Sequence, residues 1–212
     1  MGEMMTGDEL NLLFENSFFC KAKIKMLLGT GKLEAPVGLD RSKVADNNVV
    51  EHINMIDAAS DANGGVTLSL SSTGSGYWIP YLGNGIDVST ADTVPRGLGT
   101  FTPPIPSGSG ISWVATGPFS GCRAVVFKPS AGLVFAHVIT PASGTECASV
   151  RDQVKSISSK LGCLDPGDGI VPEYTTGAGY AFWLRIQGQW YYRELQAFNG
   201  IVTAVGKKQA VS

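Results

Sequence analysis

The sequence is short of charge, of histidine and of long apolar runs, and each shortage removes a class of function. Charged residues make up 16% of its 212 positions, where soluble domains average roughly 25%. The net charge is −2, split as 7 basic against 12 acidic side chains over 1–106 and 9 against 6 over 107–212. Neither half carries the basic excess of a nucleic-acid-binding surface, so direct nucleic-acid binding is not expected. The only histidines are His52 and His137, and the four cysteines (Cys20, Cys122, Cys147, Cys163) form no Cys-x-x-Cys pair. Zinc-ligand spacing is therefore absent, and no metal or cofactor is expected. No apolar run approaches the ~20 residues of a membrane-spanning helix. The first thirty residues carry Asp8, Glu9 and Glu15 and lack a basic stretch before an apolar one, so no Sec signal peptide is expected. Thiols in such a chain are expected to be reduced, which leaves them open to chemistry.

What the sequence has in plenty is glycine, 27 residues of it, together with short apolar runs that read as strands and turns. Thr6 and Glu9 have the spacing of a capping box, and the apolar positions Leu10, Leu13, Phe14 and Phe18 predict a helix over about 7–28, peripheral to the domain. A second helix is expected after Asp46, with Val49, Ile53 and Ile56 on one face and Asn63-Gly64-Gly65 as its stop. Val66–Leu70 reads as a strand. From Ser71 to Gly110 turn residues dominate, with four Pro and four Gly between Pro95 and Gly110, so this stretch reads as surface loop and as a wall for a binding site. Two β-rich runs, Arg123–Lys128 and Leu133–Ile139, flank Pro129-Ser130-Ala131-Gly132 and predict a hairpin. A third helix is expected over Val150–Leu161, whose apolar positions repeat at four-three-four spacing. The end of the chain returns to strand: Tyr180–Ile186 alternates, Gln187-Gly188-Gln189 turns, and Trp190–Leu195 and Ile201–Val205 follow. The aromatics Trp183, Trp190, Tyr191 and Tyr192 are expected in the core. These elements predict one α/β (α+β) domain over 1–212, with mixed β-sheets in a sandwich-like core and flanking helices.

The hairpin holds the most pointed chemistry. A nucleophilic cysteine needs a nearby base, and His137 follows Cys122 by fifteen positions across the predicted turn. If Lys128 pairs with Leu133, opposing residues sum to 261, so Ala124 faces His137 and Cys122 faces Ile139. Cys122 and His137 then share a face as diagonal neighbours with Cα atoms ~7–8 Å apart, a gap that a thiol and an imidazole can close. Gly121 allows close backbone approach and free amide donors for an oxyanion, and Ser120 can add another. An imidazole beside the thiol is expected to draw its pKa down from ~8.5, giving a thiolate at neutral pH with the histidine then serving as acid. The plain alternative is a small buried cysteine and a strand histidine with its hydrogen bonds satisfied.

The segment Thr116-Gly117-Pro118-Phe119-Ser120-Gly121-Cys122, followed by a strand, a turn and a histidine, resembles the Leu-Ser-Gly-Cys site of the bacterial glutamine deamidase toxins. Two branches are similar: the catalytic domains of the cytotoxic necrotizing factors, by the Cys-to-His interval, and the Burkholderia lethal factor type, by the Thr-to-Cys interval and chain length. The resemblance covers Thr116–Ile139. Phe119 stands where the family has Leu, and the histidine comes a few positions later than in the lethal-factor type. The resemblance implies a toxin or effector, translocated or secreted without a Sec signal and acting in a host cytoplasm as a monomer. It would hydrolyse one glutamine side chain of a host protein to glutamate, with Cys122 as nucleophile, His137 as acid and base, and Thr116 orienting the pair through its hydroxyl or carbonyl. The implied target is a translation-initiation helicase; the alternative is a deamidase of Rho-family GTPases of the necrotizing-factor type, with transglutaminase activity when an amine replaces water. A cysteine protease, a chemoreceptor-type deamidase and a non-enzymatic Gly-rich binding module are the remaining classes.

Other motifs carry less. Gly29-Thr30-Gly31-Lys32 lacks the first glycine of a phosphate loop and has Leu33 in place of the magnesium-binding hydroxyl. His52 reads as a solvated helix residue, and Asp165, Asp168 and Glu173 as a turn rather than a calcium loop.

Overall fold

A computed structural model of the chain describes residues 5–15, 24–26, 54–60, 66–70, 74–79, 99–119, 123–128, 131–138, 178–198 and 201–211. One helix, α1 (Gly7–Glu15), precedes twelve strands among these residues. They are β1 (Ile24–Met26), β2 (Asn54–Ser60), β3 (Val66–Leu70), β4 (Gly76–Ile79), β5 (Gly99–Phe101) and β6 (Trp113–Phe119), followed by β7 (Arg123–Phe127), β8 (Val134–Val138), β9 (Ala178–Ile186), β10 (Gln189–Phe198), β11 (Ile201–Val205) and β12 (Gln209–Ala210). The larger sheet has the order β1-β3-β2-β4-β6-β9-β10-β11, with β12 also on β10. It is mixed, because β1–β3 and β4–β6 are parallel and the other pairs antiparallel. The smaller sheet, β5-β8-β7, is antiparallel. The fold is α/β in one small domain.

Strand alternation builds two cores on the two faces of the large sheet. On one face Trp78, Trp113, Phe182, Leu184 and Leu195 pack against Leu10 and Phe14 of α1, with the Phe14 and Phe182 rings edge to face at 5.2 Å. On the other, Val114, Ala181, Trp183 and Tyr192 meet Ala124, Val126 and Phe135 of the small sheet. The Phe135 ring lies 5.2 Å from Trp183 and 4.7 Å from Trp190. The sandwich-like core and the buried aromatics agree with the sequence reading; Tyr191 differs, being half-buried with the Lys208 ammonium 5.2 Å over its ring.

The capping box is in place: the Thr6 amide donates to Glu9 Oε2 at 2.6 Å and the Glu9 amide to Thr6 Oγ1 at 3.4 Å. The helix it starts is shorter than expected and is not peripheral. It is followed by a strand at Ile24–Met26, where lysines alternate with apolar residues from Lys21 to Met26 at the period of a strand. Arg193 ties α1 down from the sheet, with Nε and Nη2 both 3.2 Å from Asn11 Oδ1 and Nη2 3.0 Å from Glu15 Oε1.

The second expected helix is replaced, within the described residues, by β2. Asn54–Ser60 pairs antiparallel with β3 on one side and β4 on the other, so two ladders outweigh whatever helical periodicity the segment carries. Asn63-Gly64-Gly65, expected as the stop of that helix, lies outside the described residues, between strand ends at which Ser60 faces Val66. The supposed loop from Ser71 to Gly110 contains β4 and β5 and a bridge between Ile105 and Leu133. The third expected helix lies outside the described residues. At the other end of the chain the expected turn is a two-residue loop, with φ of 49° at Gln187 and 83° at Gly188, the pattern that matches the twist of a tight hairpin.

Candidate functional site

The predicted hairpin register is the observed one: Ala124 faces His137 and Val125 faces Ala136, each pair summing to 261. His137 sits in the central strand of the small sheet, between Ala124 on β7 and Thr100 on β5. Its side chain points at the large sheet and is 1% exposed.

Thr116 reaches it from β6. Across β6 and β9, Thr116 faces Ala181 but Phe119 faces Gly179, so β6 spends three residues where β9 spends two. The extra residue is a bulge. It turns Phe119, which strict alternation would send toward α1 with Trp113 and Ala115, onto the inner face. There its ring stacks on the His137 imidazole, centroids 4.4 Å apart and planes 16° from parallel. Gly117 makes the bulge possible: its φ is 154°, and a Cβ there would lie 2.3 Å from Tyr180 Cδ1. A glycine inside a strand was the readable sign of this irregularity.

The hydrogen bonds fix the state of the ring. Thr116 Oγ1 lies 2.8 Å from the Ile79 carbonyl oxygen and 2.8 Å from His137 Nδ1. A hydroxyl has one proton and a carbonyl has none, so Thr116 donates to Ile79 and accepts from Nδ1–H. The neutral ring then carries its proton on Nδ1 and its basic lone pair on Nε2. Burial pushes the His137 pKa down to about 3, so the imidazole is neutral at pH 7. Of the two routes open to Thr116, hydroxyl or carbonyl, the hydroxyl makes this contact.

The structure thus brings together Thr116 and His137, on different sheets and twenty-one positions apart. Ser120, Gly121 and Cys122 lie outside the described residues, as do His52, Gly29–Lys32, Asp165, Asp168 and Glu173. The Ile79 carbonyl and the Phe119 stack are parts of the site that the residue pattern did not show, because each depends on which strand becomes a neighbour. Among the described residues no three of His, Cys, Asp and Glu come together in a way that could hold a metal ion, and no helix is long and apolar enough to cross a membrane. No protein-family model matches the chain, and no characterised protein matches it in sequence.

Proposed function

We propose that this chain is a cysteine-dependent glutamine deamidase acting on a protein, of the bacterial toxin type that its Ser-Gly-Cys segment resembles. The observation that carries the reading is the relay from the Ile79 carbonyl through Thr116 Oγ1 to His137 Nδ1, both links 2.8 Å. It leaves Nε2 as the nitrogen that takes and returns a proton. Cys122 is bonded to Arg123, the first residue of β7, and Arg123 faces Val138, the neighbour of His137. Chain connectivity therefore limits the Cys122 Cα to about 3.8 Å from that of Arg123.

In the reaction, Nε2 takes the thiol proton of Cys122 as sulfur attacks the carboxamide carbon of a glutamine. The imidazolium returns that proton to the amide nitrogen, the C–N bond breaks, and ammonia leaves a thioester. Water then attacks with its proton passing to Nε2, the C–S bond breaks, and the products are glutamate and the restored thiol. The amides near Ser120 and Gly121 would hold the oxyanion. A pKa of about 3 at His137 argues against a resting thiolate–imidazolium pair. Proton transfer instead accompanies attack, and the Phe119 ring face lowers the cost of the transient cation.

The six-position interval from Thr116 to Cys122 favours the lethal-factor type, with a translation-initiation helicase as target, over a Rho-family GTPase. The setting is a host cytoplasm reached without a Sec signal. The test is mass spectrometry of these candidate targets after incubation with the wild type and with Cys122→Ser. A gain of about 1 Da at one glutamine, lost in the variant, is the expected result. Cleaved fragments would make the chain a protease, and unchanged masses would reject both readings.

A further inference from the structure

Away from the Thr116–His137 contact, a cavity of about 450 Å³ opens at the turn end of the β7–β8 hairpin. Its apolar lining comes from Ile105, Leu133 and Trp190, and its charged lining from Lys128 and Arg185, with no acidic residue on its wall among the described residues. Ile105 belongs to the Pro95–Gly110 stretch that the sequence suggests as a wall. Arg185 is pre-positioned, because its guanidinium donates to the backbone carbonyls of Ser107 and Ser109. Both acceptors are uncharged, so the positive charge is oriented without being neutralised. Lys128 is exposed, and among the described residues neither cation forms an ion pair with a carboxylate. Two uncompensated cations beside an apolar floor, on a chain of net charge −2, select for a ligand that is itself apolar and anionic.

We infer that this cavity docks an acidic peptide segment, an aromatic or aliphatic side chain resting on Ile105, Leu133 and Trp190 and a neighbouring Asp or Glu carboxylate meeting Lys128 and Arg185. The inference rests on the deamidase reading for the identity of the peptide, which is then a segment of the protein substrate. Leu133 and His137 are four positions apart on one strand, about 14 Å at ~3.4 Å per residue. An extended segment covers that span with about four residues, so the docked acidic residue lies at least about four positions from the glutamine that reacts.

The experiment uses the full chain carrying Cys122→Ala, so that a bound peptide is not altered. The probe is acetyl-Phe-Glu-Gly-Ser-Gly-Gln-Gly, compared with the same peptide carrying Lys in place of Glu. Binding is followed by ¹⁵N NMR at the Gly132 and Gly188 amides and the Trp190 indole N–H. Saturable shifts with the Glu peptide, absent with the Lys peptide and weakened at least tenfold by Lys128→Glu, are expected. No shift at these three groups, or equal shifts with both peptides, overturns the docking site. Lys128 is exposed, and unchanged signals elsewhere in the spectrum establish that Lys128→Glu is folded. Binding of this kind together with unchanged masses in all candidate targets would reject the deamidase and keep the site. Deamidation by an enzyme whose KM for its protein target is unmoved by Lys128→Glu would keep the deamidase and reject the site.

Discussion

Acidification should unfold this chain through His137, by an amount that follows from its burial. The imidazole is 1% exposed, and burial moves its pKa from 6.5 to about 3. An unfolded chain takes up the proton near pH 6.5, whereas the folded chain declines it until about pH 3. The unfolded state therefore binds more protons throughout that window, and folding stability falls as the pH falls. The contribution is whole above the unfolded pKa and is lost at about 1.4 kcal/mol per unit below it. Between pH 7 and pH 5 the loss is about 2 kcal/mol, and over the whole window about 5 kcal/mol. Against a net stability of roughly 5–15 kcal/mol for a domain, the first figure is measurable and the second approaches global unfolding. The comparison is His137→Asn, whose side-chain amide can still donate to Thr116 Oγ1 but does not titrate. Urea denaturation of both proteins at pH 7, 6 and 5 cancels the carboxylates they share. The stability gap between wild type and variant should narrow by about 2 kcal/mol from pH 7 to pH 5. Parallel pH profiles would refute the reasoning, because a histidine that charges as easily in the folded chain as in the unfolded one is not the buried neutral base described above.

Two further perturbations bear on the same region. Thr116→Val keeps the shape of the side chain but strands the Ile79 carbonyl and the Nδ1–H, so it should cost about 2–4 kcal/mol in denaturant melts and lower the proposed glutamine hydrolysis at least tenfold; Thr116→Ser should retain both, and a Val variant as stable as wild type would remove the relay. Gly117→Ala drives a methyl group into the Tyr180 ring at a position whose φ of 154° already strains any side chain and should cost about 2–4 kcal/mol, of which only the part due to the ring is recovered in a Tyr180→Ala background; fully additive effects in the double-mutant cycle would count against the close approach.

How far the sequence could be read depended on the distance over which each element is decided. The Thr6–Glu9 cap is settled within four residues, and its hydrogen bonds are in place. The β7–β8 register depends only on an even loop, and so the sequence alone sets Ala124 opposite His137. β9 and β10 alternate cleanly because each has one face on α1 and the other on the small sheet. The errors fall where distant chain decides. Asn54–Ser60 becomes a strand because β3 and β4 lie on either side of it, and Ile24–Met26 because β3 pairs with it. The glycine and serine around Tyr77, Trp78 and Ile79 read as loop, although these three side chains suit a strand and Trp78 and Ile79 are buried in it.

The site shows the same division within a few ångströms. The residue types and the hairpin were legible, but the state of the imidazole was not, because three non-local facts determine it. The parallel pairing of β4 with β6 sets Ile79 opposite Thr116, which supplies the carbonyl that takes the hydroxyl proton. The bulge at Gly117 brings Phe119 to the imidazole face. Packing of the small sheet on the large one buries the ring and closes the 2.8 Å contact between Thr116 and His137. Thr116 and His137 come from opposite layers of the core, so their hydrogen bond exists only when the two sheets are docked. The group that the proposed chemistry requires to be a neutral base with its lone pair on Nε2 is thus held in that state by the same sheet packing that holds the domain together. Weakening this interface would release the ring's tautomer and its pKa toward their ordinary values before any reacting group had been changed.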